Sequence, residues 1–268
     1  MQNGQMRGFP SRHYVTFPSL HPEPLTIAAR LMAPATDAEK SPAVIILHGS
    51  AGPSTREGGY AETLHAAGFV TLEPDLWSAR GLAGGSEGRP KTVPETLPDL
   101  YGARAFLAGR PDVDVSRIGV MGFSFGGVMA MLASTRRYND QFLKDEHFAA
   151  LMPVYPACWT YNTVPGHEWR DLVDAPMFIV TGGADQYDDD PAANEKLIAS
   201  LPPPDRARVR THAFADAHHC FDMPGVDVIV QDPMSHRGAG GSVVMRHHRQ
   251  ATVQSHKLCV EFFNETLK

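Results

Sequence analysis

The stretch Arg117-Ile118-Gly119-Val120-Met121-Gly122-Phe123-Ser124-Phe125-Gly126-Gly127 decides how this chain is read. Arg117 to Met121 has the apolar run of a buried strand, and a helical run begins near Gly126 and continues to about Arg136. Between them lies G-x-S-x-G. A serine on a sharp strand-to-helix turn projects its hydroxyl beyond the sheet, and flanking glycines leave room for a strained backbone and close helix packing. An ordinary serine in a glycine-rich turn would need no such flanks, so the strand and helix favour a nucleophile.

Outward from this turn, short β-rich runs alternate with longer helical ones over nearly the whole chain, which is the βαβ signal of a mostly parallel central sheet with helices on both faces. The strands expected are Ala43 to His48, Val70 to Glu73, Ile118 to Gly122, Ala149 to Tyr155, Met177 to Thr181 and Val209 to Phe214, each apolar enough to be covered on both faces. Before them, His13 to Ser19 and Leu25 to Met32 leave no room for a helix between them, so within residues 1–40 they should pair antiparallel. Helices are expected at about Tyr60 to Ala67, Pro98 to Ala108, Gly126 to Arg136, Ala192 to Ser200 and Thr252 to Thr266. Asp190 and Pro191 suit the start of the fourth. Ser78 to Lys91 and residues 222–249 break the alternation and read as long loops, the second lid-like. No composition shift marks a boundary, so residues 1–268 read as one α/β domain.

Composition narrows the function classes. With 43% hydrophobic and 20% charged residues, the 268-residue chain is that of an ordinary globular protein. Its longest apolar runs are far short of the roughly 18 residues that a membrane helix needs. A net charge of −6 with scattered Lys and Arg gives no reason to bind nucleic acid. The N-terminus has no apolar core behind its basic residue, and three widely separated cysteines suggest no disulfide framework, so a cytoplasmic location is expected.

A serine hydroxyl needs a base, and the base needs an orienting carboxylate. Met177 to Thr181 runs into Gly182-Gly183-Ala184-Asp185, placing Asp185 just beyond the C-terminal end of a strand, where functional groups collect in open α/β sheets. Asp188 and Asp189 read as solvated loop charges and Asp190 as a helix cap. Val209 to Phe214 leads into Ala215-Asp216-Ala217-His218-His219-Cys220-Phe221-Asp222, and one of the two adjacent histidines is the expected base. No H-E-x-x-H or cysteine pair is present, so the expected chemistry uses neither metal nor cofactor.

The order serine, aspartate, histidine is that of α/β-hydrolases. From about Val44 to Phe221 the chain resembles the dienelactone hydrolase-type members of that superfamily. The segments that carry the likeness are Val44-Ile45-Ile46-Leu47-His48-Gly49, Ala67-Gly68-Phe69-Val70, Glu73-Pro74-Asp75-Leu76, the serine turn, Gly182 to Asp185 and Ala217 to Asp222. The resemblance implies an α/β-hydrolase fold, puts the base at His219 and not His218, and assigns oxyanion-binding N–H groups to Ser50 and Phe125. It also shows departures. The name-giving enzymes use a cysteine nucleophile, a glutamate where Gly49 stands and two arginines that hold a substrate carboxylate. Here Arg80 lies near the first arginine's place, and none closely follows His219.

The expected function is therefore hydrolysis of a small-molecule carboxylic ester or lactone through an acyl-enzyme, with Ser124, His219 and Asp185 as the triad. Trp77 and Arg80 should border the substrate pocket unless they are packing and solvated charge respectively, and Cys158 should form part of its wall. The alternatives are a peptidase or amidase of prolyl-oligopeptidase type, weakened by the lack of a propeller domain, and a non-catalytic small-ligand module on the same fold.

Overall fold

The computed structural model describes residues 11–34, 40–85 and 87–268. Residues 1–10, read above for a leader, and residues 35–39 and 86 lie outside the described residues. The strands of the main sheet are β1 (Ser11–Pro18), β2 (Thr26–Ala33), β3 (Ser41–Leu47), β4 (Val70–Asp75), β5 (Val113–Phe123), β6 (Leu151–Val154), β7 (Met177–Gly182) and β8 (Val209–Phe214). Their order across the sheet is β1-β2-β4-β3-β5-β6-β7-β8. From β4 to β8 every neighbouring pair is parallel, and β2 joins β1 and β4 antiparallel.

Period-two alternation sends successive side chains to opposite faces of the sheet. The first three long helices are α1 (Thr55–Ala66), α2 (Leu97–Ala108) and α3 (Phe125–Ala133). Ile45 and Leu47 of β3 belong to one buried cluster with Leu100 of α2 and Met129 of α3. Val44 and Ile46 belong to the other, with Tyr60 of α1 and Phe263 of the last helix. The sheet is thus covered on both sides by α2 and α3 on one face and α1 and the C-terminal helix on the other. Further along the chain come α4 (Ala193–Ala199) and, at the end, α5 (Arg249–Leu267).

Three local differences from the sequence expectation have plain causes. Helix α1 starts five residues before Tyr60, because Ser54 caps it and Glu57 reaches back to the Ser54 N–H at 2.8 Å in a capping box. Strand β8 is an edge strand with only Phe214 buried, not a strand covered on both faces. Residues 222–249 are not a long loop: β9 (Asp227–Asp232) and β10 (Gly241–Arg246) pair antiparallel as a separate hairpin. Within β9, Asp-Val-Ile-Val-Gln-Asp lacks the strict alternation that marks a half-buried strand, and its Ile229 is exposed.

Arg80 also departs from its expected place. Its guanidinium forms a 2.8 Å ion pair with fully buried Asp99 of α2 and donates to the Leu76 carbonyl at 3.0 Å. His21 approaches the other Asp99 oxygen at 3.5 Å, so the β1–β2 turn, the segment after β4 and α2 meet at one carboxylate. Burial raises the Asp99 pKa against the pull of Arg80. Arg80→Ala would leave that carboxylate without its nearest cation, and we expect it to cost about 2 to 4 kcal/mol of stability. Urea denaturation of the two proteins measures this, and an unchanged midpoint would contradict the assignment.

Candidate active site

Ser124 joins β5 to α3 with φ 50° and ψ −111°, outside the regions that an L-residue occupies without strain. Its N–H donates to the Val154 carbonyl at 3.0 Å and its carbonyl accepts from the Val128 N–H at 2.9 Å, so both sides of the turn are anchored. The following glycine is required by contact: a Cβ on Gly126 would lie 2.6 Å from the Leu47 carbonyl oxygen. Helix α3 therefore starts directly against the end of β3, and the serine side chain stands at the C-terminal edge of the sheet.

Asp185 and His219, the expected acid and base, arrive from the ends of β7 and β8. Gly183 lets these two connections touch, since a Cβ there would meet the Ala215 carbonyl oxygen at 2.5 Å. The Gly183 N–H donates to Phe214 and the Ala184 N–H to Ala217. This contact brings His219 Nδ1 to 2.7 Å from Asp185 Oδ2 and His219 Nε2 to 2.9 Å from Ser124 Oγ. Asp185 also accepts the Tyr187 N–H at 2.9 Å. The imidazole is buried between the rings of Tyr155 and Tyr187, whose centroids lie 4.7 and 4.4 Å away. His218, its neighbour, makes no such contacts and has an unpartnered Nδ1.

The N–H groups of Ser50 and Phe125 are free of turn and loop carbonyls among the described residues. As the first residue of α3, Phe125 has an N–H that no helical carbonyl takes, and the helix N-terminus favours developing negative charge there. Trp77, expected at the pocket, instead lies behind the Ser50 turn: it is 2% exposed, donates to the Ser50 carbonyl at 3.0 Å and meets the Phe125 ring edge-on. It buttresses the turn from beneath.

A cavity of about 350 Å³ opens beside Ser124. Its walls include Ser50, Phe125, Val128, Arg89, His167 and Met234. Trp77, Arg80 and Cys158 are not among its lining residues. The arginine at the cavity is Arg89, whose guanidinium donates to Ser50 Oγ at 2.5 Å and stands 3.5 Å from Asp232 of β9. Sequence position offered no way to prefer Arg89 over Arg80, because the loop between them follows neither helical nor strand periodicity. Cys158 lies within the protein behind this wall, and burial pushes its thiol well above the ordinary range. Cys220 is likewise pushed up to about 12. Neither thiol is poised as a thiolate.

Three further features escaped the sequence. The hairpin clamps the acid loop: the His236 and Arg237 N–H groups donate to the Gln186 and Tyr187 carbonyls, and the Gln186 side chain accepts the Val244 N–H at 2.7 Å. Beneath the serine turn, buried Arg56 sits 4.4 Å from the Phe123 ring centroid and donates to Glu57 and to the Tyr155 hydroxyl. Tyr155 and Tyr60 both donate to Asp222, so the residue three beyond His219 is fixed from a strand end and from a helix at once. Finally Asp188 is not a solvated charge: it is 8% exposed and accepts the N–H groups of Cys158 and Trp159 at 3.1 and 2.7 Å.

Fold and site together define an α/β-hydrolase. The sequence profile of the dienelactone hydrolase family matches residues 27–267, and the chain belongs to that family. An uncharacterised protein of Mycobacterium tuberculosis is 31% identical over 184 residues, covering 65% of this chain and 62% of its own length. Pseudomonine synthase PmsE of Pseudomonas entomophila is 30% identical over 166 residues, 54% of this chain and 27% of that protein. This chain thus spans less than two thirds of either relative. Among solved structures, dienelactone hydrolase of Anabaena variabilis superposes with a TM-score of 0.62 at 21% identity, over 97% of this chain and 99% of that one. Est1E of Butyrivibrio proteoclasticus gives 0.63 at 17% identity, over 95% and 98%. Acylaminoacyl peptidase of Pyrococcus horikoshii gives 0.62 at 18% identity, over 97% of this chain but only 42% of the peptidase. These likenesses are of fold.

Asp188 generates a pH prediction. Burial, and then the neighbouring Asp185 charge, raise its pKa to about 6. A carboxyl raised in this way favours the folded state when protonated, so its contribution is intact below about pH 4, falls as pH rises through 6 and is constant above. Asp188→Asn removes that decline. Relative to wild type, the variant should gain about 1 to 3 kcal/mol between pH 4 and pH 8. Denaturant titrations at the two pH values check this, and a difference independent of pH would count against it.

Proposed function

We infer that this protein is a serine hydrolase that cleaves a carboxylic ester or lactone of a small molecule through an acyl-enzyme. The observation that carries the reading is the continuous relay of Ser124 Oγ, His219 and Asp185 at 2.9 and 2.7 Å. Ser124 Oγ attacks the carbonyl carbon while His219 Nε2 takes its proton, and Asp185 holds Nδ1–H and steadies the imidazolium. The carbonyl oxygen, now negative, is met by the Ser50 and Phe125 N–H groups, each donor lowering the barrier by about 3 kcal/mol. His219 then gives its proton to the leaving alkoxide oxygen. Water, deprotonated by the same imidazole, releases the acid and restores the serine.

Several observations bear on the substrate. Gly49 offers no carboxylate, and a Cβ there would lie 3.3 Å from the Arg56 guanidinium, so the pocket differs from that of the name-giving enzymes. Arg80 is occupied by Asp99, which supports a general ester or lactone over dienelactone itself. Membership of the family supports hydrolysis, and an anilide set against the matching ester separates this reading from a peptidase.

Ser124→Ala and His219→Ala should each lower kcat/KM on p-nitrophenyl esters by about a thousandfold or more, because the relay acts as a unit. His218→Ala should keep most activity. Steady-state rates of the three folded variants test the assignment. Normal turnover by Ser124→Ala, or loss confined to His218→Ala, would overturn it.

A further inference from the structure

Several polar groups on the cavity wall are engaged. Thr160 Oγ1 donates to the Ala157 carbonyl and Thr92 Oγ1 to Glu95, while Arg89 is held by Ser50 and Asp232. His167 differs. It is 7% exposed and lines the cavity, yet neither imidazole nitrogen has a hydrogen-bond partner among the described residues, and Nδ1 is fully buried. Buried polar atoms without partners are rare in folded proteins, and each calls for a group that meets it.

The backbone that carries this ring is anchored on both sides. The His167 N–H donates to the Val164 carbonyl at 3.0 Å, and its carbonyl accepts the Asn162 N–H at 3.0 Å. On either side, Tyr138 donates to the Gly166 carbonyl at 2.7 Å and the buried Trp169 indole donates to Ser134 Oγ at 3.1 Å. Burial lowers the His167 pKa, so at neutral pH the ring is neutral, and with Nδ1 sealed off Nε2 is the nitrogen left to meet a group in the otherwise largely apolar cavity. A group carried on an anchored backbone into such a cavity can select by hydrogen bond, since a substrate lacking the matching atom leaves the ring unpaired.

We propose that His167 is a specificity-determining residue, hydrogen-bonding a hydroxyl or carbonyl oxygen carried by the part of the substrate that fills this cavity, away from the scissile ester. The inference rests on the serine-hydrolase reading and adds the substrate's polar substituent to it. The hydrogen bond is made alike in ground and transition states, so it acts mainly through KM.

Two ester series, read by pH-stat, decide which side of the ester enters the cavity. One compares methyl ω-hydroxyalkanoates of six to ten carbons with the corresponding methyl alkanoates; the other compares ω-hydroxyalkyl acetates with alkyl acetates. In wild type, the hydroxy substrate should be preferred at one chain length in one series. His167→Phe should lower that preference about tenfold through KM, and His167→Gln, which keeps a donor and an acceptor, should largely retain it. If the Phe variant does not fold, His167→Ala serves the same arm. Labelling of Ser124 by a fluorophosphonate should be equal in every folded variant. A preference unchanged by His167→Phe in both series, with labelling intact, would overturn the proposal. Absence of both labelling and turnover in wild type would overturn the hydrolase reading, and the proposal with it.

Discussion

The constraint on which the rest of this structure depends is the turn at Ser124, where a residue with a Cβ is held at φ 50° between a buried strand and a buried helix. Such a conformation costs on the order of 1 to 3 kcal/mol and persists only where its surroundings leave no alternative. Here the surroundings are β3 and β6: the Leu47 carbonyl presses on Gly126, and the Val154 carbonyl receives the Ser124 N–H. Because α3 begins hard against the sheet, its first free N–H groups lie beside the serine hydroxyl. The same turn therefore sets the proposed nucleophile and one proposed oxyanion donor, and the Ser50 turn, with Trp77 beneath it and Arg89 above, sets the other.

His219, the proposed base, is positioned by a different device. His219 reaches Ser124 across β6 and β7 because the connection after β8 lies directly on the glycines after β7. Beneath it, Asp222 is held by Tyr60 and Tyr155, and Arg56 sits in the same buried group with its guanidinium on Phe123, the residue before the serine. A buried charge of this kind is tolerable only when partnered on several sides, and Arg56 has Glu57, Tyr155 and an aromatic face. Arg56 and Ser255 lie 199 positions apart in the chain and contact the same two-tyrosine cluster, so the serine turn and the C-terminal helix are joined through polar contacts as well as through the apolar core.

What the sequence disclosed was what short, local patterns encode. The serine turn, Gly182 to Asp185 and Ala217 to Asp222 are each contiguous, and each sits at a strand end where its expected role follows from fold logic; choosing His219 over His218 took the family resemblance as well. The hairpin stayed hidden because its strands lack clean alternation and owe their place to backbone bonds with Gln186 and Tyr187. Arg80 was misplaced because nothing in a glycine-rich loop says which way a long side chain turns, and its partner, Asp99, is on another helix. Asp188 looked like one charge in an acidic run, and only the turn at Cys158 and Trp159 folding back onto it makes it a buried acceptor. Apolar periodicity starts the first helix at Tyr60, and the capping box at Ser54 and Glu57 carries α1 back to Thr55.

The most direct test of the central claim is to trap the covalent intermediate. Wild-type protein mixed rapidly with a p-nitrophenyl ester and quenched in acid within the first turnover should carry the acyl mass on the peptide containing Ser124, accompanied by one equivalent of released p-nitrophenol. Turnover with no adduct at any quench time, or with the acyl group on the Cys158 or Cys220 peptide, would contradict the account.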